Sequence, residues 1–146
     1  MVYEYNSRIH LAEVALNVRD LAGQTAFYHQ LLGLEILHQS EEEVLLGAGE
    51  KPLVKLIQTE NTGNLKQSYG LYHMALLLPS REDLANVFKH LLDLKILLVG
   101  AADHGYSEAI YLEDIEGNGI ELYRDKPVTV WDIREDGRII GVTEEL

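Results

Sequence analysis

Ala109-Ile110-Tyr111-Leu112-Glu113-Asp114-Ile115-Glu116-Gly117-Asn118-Gly119-Ile120-Glu121-Leu122-Tyr123 reads as a β-hairpin. Ala109 to Leu112 is one strand, Asp114 to Gly119 a turn rich in glycine and asparagine, and Ile120 to Tyr123 the return strand. Glu121 stands between Ile120 and Leu122. Successive strand residues point to opposite faces, so its carboxylate faces away from both apolar neighbours. Such a group lines either solvent or a cavity, and the remainder of the chain favours the cavity.

Working outward, Leu71 to Leu78 reads as a strand, followed by a helix that opens at Ser80. Ser80 is a predicted N-cap, with Glu82 and Asp83 in the first turn, where negative charge complements the helix dipole. Leu84, Val87, Phe88, Leu91 and Leu92 give the apolar stripe of an amphipathic helix. Leu97 to Val99 is a short strand, and Gly100 to Gly105 a loop carrying His104. Further back, Ile9 to Val18 is a strand with Ala12, Val14, Leu16 and Val18 on its core face. Asp20 is the predicted cap of a helix that includes Tyr28, Leu31 and Leu32 and stops at Gly33. Strands over Leu34 to His38, Val44 to Gly47 and Leu53 to Thr59 follow, the last two separated by a turn over Gly49 to Pro52. Glu60 to Gly70 reads as a loop.

This order occurs twice. A shift of sixty residues lays Val14-Ala15-Leu16 on Met74-Ala75-Leu76, Tyr28 on Phe88, Leu31-Leu32 on Leu91-Leu92, and cap Asp20 on cap Ser80. A shift of sixty-six lays Val44-Leu45-Leu46 on Ile110-Tyr111-Leu112 and Val54-Lys55-Leu56 on Ile120-Glu121-Leu122. The repeat predicts an α+β fold of two tandem β-α-β-β-β units. It also makes Glu13 equivalent to His73, and Lys55 equivalent to Glu121. If the units pair about a pseudo-two-fold, these four side chains converge.

Composition narrows the function. The chain has 146 residues, enough for one domain with a sizeable core. Its net charge of −12 disfavours nucleic acid and anionic membrane surfaces as partners. The absence of cysteine excludes disulfides, thiolate metal sites and cysteine nucleophiles. With no signal pattern at the N-terminus and no apolar run of membrane-spanning length, the expected location is the cytoplasm.

Taken as a set, Tyr72-His73-Met74-Ala75, Leu78-Pro79-Ser80-Arg81, Gly100 to Gly105, Ser107 to Leu112 and Gly117 to Arg124 resemble the vicinal-oxygen-chelate superfamily. That superfamily includes glyoxalase I, fosfomycin- and bleomycin-resistance proteins and extradiol dioxygenases. The resemblance is greatest to the N-terminal half of bacterial catechol 2,3-dioxygenase-like proteins. It implies two tandem units whose curved mixed sheets enclose a cavity. The units run over about 9–59 and 71–124, within one domain of 9–124, and residues 125–146 form a tail or linker. Such relatives often carry a second pair of units. The chain is therefore expected to be one domain of a longer protein or a short homologue, and a homodimer would supply the missing pair.

For an extradiol enzyme the resemblance implies Glu13, His73 and Glu121 as ligands of a divalent metal, Fe(II) foremost, with Mn(II) or Zn(II) as alternatives. It implies His104 as acid/base and Tyr111 as a substrate contact, with a small catechol-type aromatic and O₂ as reactants. No organic cofactor is implied. Glu13 departs from the pattern, because histidine stands there in extradiol enzymes. Lys55 departs from glyoxalase I, which has a metal ligand at that place. The Lys55 ammonium is expected to compete for Glu13 or Glu121. Three functions stay open at this point: a ring-cleaving dioxygenase, a metal-free binding module for small molecules, and another metalloenzyme of the same fold, such as an isomerase or thiol transferase.

Overall fold

The computed structural model describes residues 11–60 and 71–146. The start of the first predicted strand, Ile9 and His10, and most of the predicted Glu60 to Gly70 loop lie outside them. In the first repeat, β1 (Val14–Val18), α1 (Leu21–Ala26), β2 (Glu35–Gln39), β3 (Glu43–Ala48) and β4 (Lys51–Gln58) build a sheet of order β1-β4-β3-β2. In the second, β5 (His73–Leu77), α2 (Arg81–Asp93), β6 (Leu98–Asp103), β7 (Ser107–Glu113) and β8 (Gly119–Asp125) build the same order, β5-β8-β7-β6. Beyond β8, β9 (Asp132–Ile133) pairs with β10 (Ile139–Ile140), and β11 (Glu144–Glu145) adds to the outer edge of β6. The fold is α+β with two curved mixed sheets.

The two repeats agree residue by residue. Val14, Ala15 and Leu16 pair in parallel with Val54, Lys55 and Leu56. Met74, Ala75 and Leu76 pair in parallel with Ile120, Glu121 and Leu122. Leu45 stands opposite Lys55 as Tyr111 stands opposite Glu121. Both shifts read from the sequence are therefore registers of the structure. Parallel pairing of a unit's first and last strands requires a crossover, and the helix of each unit supplies it.

The chain divides into two compact units. One holds residues 11–60 together with Asp114–Asn118, the turn of the β7–β8 hairpin; the other holds His73–Glu113 and Gly119–Leu146. In the first, Leu16, Val18, Val44, Leu46, Val54 and Leu56 are buried, as the alternation of β1, β3 and β4 dictates. The Asp20 carboxylate caps α1 by accepting from the Gly23 N–H at 2.8 Å. A π-helical turn over Phe27–Leu31 follows, and Gly33, with φ +78°, ends it. Tyr28 is fully buried and donates to Asp114 Oδ2 at 3.0 Å. Burial, together with that carboxylate, drives its hydroxyl pKa far above the usual tyrosine range.

In the second unit Met74, Leu84, Leu91, Ile110, Leu112, Ile120 and Leu122 form the core. Ser80 caps α2 by accepting from the Asp83 N–H at 3.1 Å. No helix among the described residues is long and apolar enough to cross a membrane.

Two expectations are corrected. The predicted turn over Gly49 to Pro52 is shorter, because Lys51 and Pro52 belong to β4. Pro52 is tolerated there because the register shifts between Leu46 and Gly47, a bulge where proline's missing N–H breaks no ladder bond. Gly47 is required at that point, since a Cβ would lie 2.1 Å from the Lys51 carbonyl oxygen. The predicted Gly100 to Gly105 loop is strand as far as Asp103, because β6 is paired on both sides, by β7 and by β11.

Glu108 of β7 lies on the face opposite Tyr111, buried between two arginines. Arg124 donates to it from Nε at 2.9 Å and Arg81 from Nε at 3.1 Å. The Arg124 side chain is 12% exposed and the Arg81 side chain 74%, so Arg124 dominates. Burial alone would raise the Glu108 carboxyl, but the hydrogen bonds and charges of both guanidinia outweigh it and hold the group below the usual glutamate range. A depressed folded value contributes stability above the ordinary glutamate pKa and loses it as pH falls through the folded value. Glu108→Gln should therefore cost roughly 1–3 kcal/mol at neutral pH. In urea titrations the variant and the native protein should converge as acid protonates Glu108.

Candidate metal and substrate site

Four of the five residues singled out in the sequence share one unit. The β5–β8 register sets Ala75 opposite Glu121, so His73 is Glu121's diagonal neighbour two residues along β5 on the same face. His73 Nε2 lies 3.0 Å from Glu121 Oε2. Across the other ladder Tyr111 is directly opposite Glu121, and its hydroxyl donates to Glu121 Oε1 at 2.8 Å. His104 precedes β7 in a tight turn in which Gly105 takes φ +81°. Its Nε2 is 2.8 Å from the Tyr111 hydroxyl. His73, Glu121, Tyr111 and His104 thus form one hydrogen-bonded row. The Glu121 side chain is 14% exposed and that of His73 32%, so the row is shielded but accessible.

The fifth residue, Glu13, belongs to the other unit, where it precedes β1 and is exposed. Among the described residues no three His, Cys, Asp or Glu side chains gather as a group able to hold a metal ion. Lys55 does not behave as expected. Its ammonium pairs with Glu43 at 2.8 Å. The β3–β4 register makes Glu43 its diagonal neighbour, closer to hand than any partner on a distant element. The hydrogen bond that Lys55 donates to Glu43 raises its pKa, and the Glu13 charge adds a smaller contribution in the same direction.

Sequence reasoning missed the supports of His104. The Asp103 carboxylate accepts from the Gly105 N–H at 2.8 Å and pairs with Lys126. Those hydrogen bonds, Lys126 first, hold its carboxyl below the usual aspartate range. Tyr106 stacks on His104 at 6.2 Å between ring centroids, and Trp131 meets Tyr106 edge-on at 6.1 Å. The tail therefore packs behind the site. Its one legible signal was Trp131, the chain's single tryptophan.

A cavity of about 270 Å³ lies elsewhere in this unit, between α2 and the sheet face that carries Ile110 and Glu108. Because Tyr111 and Glu108 point to opposite faces, the cavity is separate from the polar row.

Residues 10–122 match the Glyoxalase/Bleomycin resistance protein/Dioxygenase superfamily, and the chain belongs to it. It is 34% identical over 138 residues to a catechol-2,3-dioxygenase of Bacillus subtilis (strain 168). The match covers 92% of this chain and 48% of that protein, so the chain spans about half the length of the curated relative. Solved structures share the fold. A lactoylglutathione lyase from Agrobacterium tumefaciens superposes with a TM-score of 0.63 at 21% identity, covering 79% of this chain and 92% of that one. A glyoxalase/dioxygenase from Nostoc punctiforme superposes with a TM-score of 0.67 at 17% identity, covering 87% and 100%. Members of the superfamily typically bind a divalent metal.

Two of the residues present, His73 and Glu121, have the chemistry and the spacing of ligands to such an ion. Two ligands at ~2.0–2.2 Å from one metal and at right angles to each other stand about 3 Å apart, and His73 Nε2 and Glu121 Oε2 have that separation. Tyr111 on the second carboxylate oxygen is the kind of outer partner that orients a ligand. Because Lys55 is engaged by Glu43, Lys55→Met should leave divalent-metal affinity within about twofold, the scale of a partly exposed ion pair. Calorimetric titration checks this; a gain of tenfold or more would mean that the ammonium repels the cation.

Proposed function

We propose that this protein is a metal-dependent, extradiol-type dioxygenase acting on catechol-like aromatics. The observation that carries the reading is the row His73–Glu121–Tyr111–His104, which sets an imidazole–carboxylate ligand pair beside a hydroxyl and a second imidazole. The relation to a catechol-2,3-dioxygenase supports the reaction class. His73 and Glu121 would hold Fe(II), with Mn(II) or Zn(II) as alternatives, since imidazole and carboxylate suit these ions. Glu13 is proposed as the third ligand on its equivalence with His73 in the repeat. Fe(II) or Mn(II) would supply the redox chemistry that joins O₂ to the ring; Zn(II), which has no redox chemistry, would serve only another reaction of the same fold. The chain's own residues would manage the substrate's protons. His104 Nε2 accepts a proton from a catechol hydroxyl and later returns it, a role suited to the range in which histidine titrates. The Tyr111 hydroxyl, held between His104 and Glu121, orients the substrate oxygen.

The test is elemental analysis of the purified protein, then anaerobic Fe(II) loading and a catechol ring-cleavage assay. His73→Ala and Glu121→Ala should lose bound metal. His104→Ala should keep it while turnover falls by about 10²–10⁴, the usual contribution of a general acid/base. Equal loss of metal and turnover in His104→Ala would make His104 a ligand or a fold determinant. One observation favours a second reading, a metal-free binding module: the described residues contain no three-ligand group. Retention of an aromatic ligand by protein that takes up no metal would establish that reading instead.

We also propose a symmetric homodimer. In the second unit Leu92 of α2, Leu97 just before β6 and Val99 of β6 are 52%, 88% and 68% exposed. A symmetric pairing would cover this exposed apolar surface in both copies. Light scattering at tens of micromolar should give twice the chain mass; a monomeric mass would overturn the proposal.

A further inference from the structure

Val142, in the tail just before β11, touches His104 twice. Its N–H donates to the His104 carbonyl oxygen at 3.1 Å, and its own carbonyl oxygen lies 3.1 Å from His104 Nδ1. One tail residue thus holds the histidine's backbone and its ring. The tail is fixed beside it by the pairing of β11 with β6, Glu144 opposite Asp103 and Glu145 opposite Ala102. Gly141 allows the close approach: a Cβ there would stand 2.7 Å from Tyr106 Cε1, on the ring that stacks against His104.

A carbonyl oxygen can only accept. The ring nitrogen facing it must carry hydrogen, and a neutral imidazole has one hydrogen to place. We infer that the Val142 carbonyl fixes neutral His104 as the Nδ1–H tautomer and so aims a bare Nε2 at the Tyr111 hydroxyl, whose single hydrogen then divides between Nε2 and Glu121 Oε1, each 2.8 Å away. Val142 is then a positioning residue, doing with a main-chain oxygen what a buried carboxylate does behind a catalytic histidine. Thr143 Oγ1, 3.4 Å from Nδ1, is compatible, because a hydroxyl also accepts. The inference rests on the acid/base role of His104 for its functional meaning, but the tautomer can be read without any activity.

The experiment is a long-range ¹H–¹⁵N correlation on the metal-free, ¹⁵N-histidine-labelled 146-residue chain at pH ~8, above the ordinary histidine pKa of about 6.5. The His104 signals are assigned by their loss in His104→Gln. The expected result is a protonated Nδ1 and an unprotonated Nε2. Gly141→Ala, which must displace the tail from Tyr106, should shift His104 toward the Nε2–H form. In metal-loaded enzyme it should lower kcat by about 10–100-fold, the usual effect of losing an outer partner, with KM and metal content unchanged. An Nε2–H tautomer in the native protein would overturn the inference whatever the activity. So would an unchanged tautomer in Gly141→Ala with the Val142 amide freed to exchange. An Nδ1–H tautomer together with full turnover in His104→Ala would uphold the orientation and overturn the acid/base role, so the two failures are distinguishable.

Discussion

The parallel pairing of β5 with β8 is the constraint on which the site depends. It sets His73 and Glu121 on one face, two residues out of step, within reach of each other at 3.0 Å. The antiparallel β7–β8 ladder then delivers Tyr111 to the same carboxylate. A slip of one residue in either ladder would send Glu121 into the Ile120–Leu122 core or remove its partner. Register is held by burial: Ile120 and Leu122 are at most 3% exposed, and turning them outward would forfeit about 1.5–3 kcal/mol each. The apolar residues that flank the site therefore determine its geometry as much as the polar ones do.

The first unit shows what the same backbone does with other side chains. Lys55 stands where Glu121 stands, Leu45 where Tyr111 stands, and Glu13 where His73 stands. Leucine offers no hydroxyl, and lysine turns to Glu43 rather than to a metal. The polar row consequently exists in one repeat only. On the proposed reading the burden of orienting His73 and Glu121 falls on β7, β8 and the tail.

Elements built by periodic side chains were legible. The alternation in β1, β4, β7 and β8, the caps Asp20 and Ser80 and the repeat itself each leave a side-chain signature, and each stands in the structure; of the α2 stripe Leu84 and Leu91 are buried, while Phe88 and Leu92 are exposed. His73, His104, Tyr111 and Glu121, singled out by equivalence and resemblance, are four side chains that the structure brings together. The tail was not legible, because β9, β10 and β11 are two residues each and show no period. Its contact with His104 runs through the main-chain atoms of Val142, which any residue but proline could supply. The Glu108 cluster was hidden for another reason. Ser107-Glu108, Ser80-Arg81 and Tyr123-Arg124 all belong to the stretches that carry the family resemblance. Yet the charged members form a support on the opposite sheet face rather than part of the site.

Counting protons along the row links its geometry to its proposed work. Three contacts run from the Val142 carbonyl through His104 and Tyr111 to Glu121, and each needs one hydrogen. With Glu121 ionised and His104 neutral, the row holds two, one on Nδ1 and one on the tyrosine hydroxyl. The hydroxyl then faces Nε2 on one side and Oε1 on the other with one hydrogen to offer the two. A proton arriving at Nε2 completes the row: His104 donates at both nitrogens and the tyrosine hydrogen turns wholly to Glu121. No ring has to rotate, because Val142 already holds Nδ1–H in place. In the proposed function a catechol hydroxyl would be the source of that third proton, and the ionised ring oxygen it leaves behind would be the form suited to bind beside His73 and Glu121. On this reading, the arrangement favours proton acceptance at the moment substrate binds and stores the proton within hydrogen-bond reach for its return.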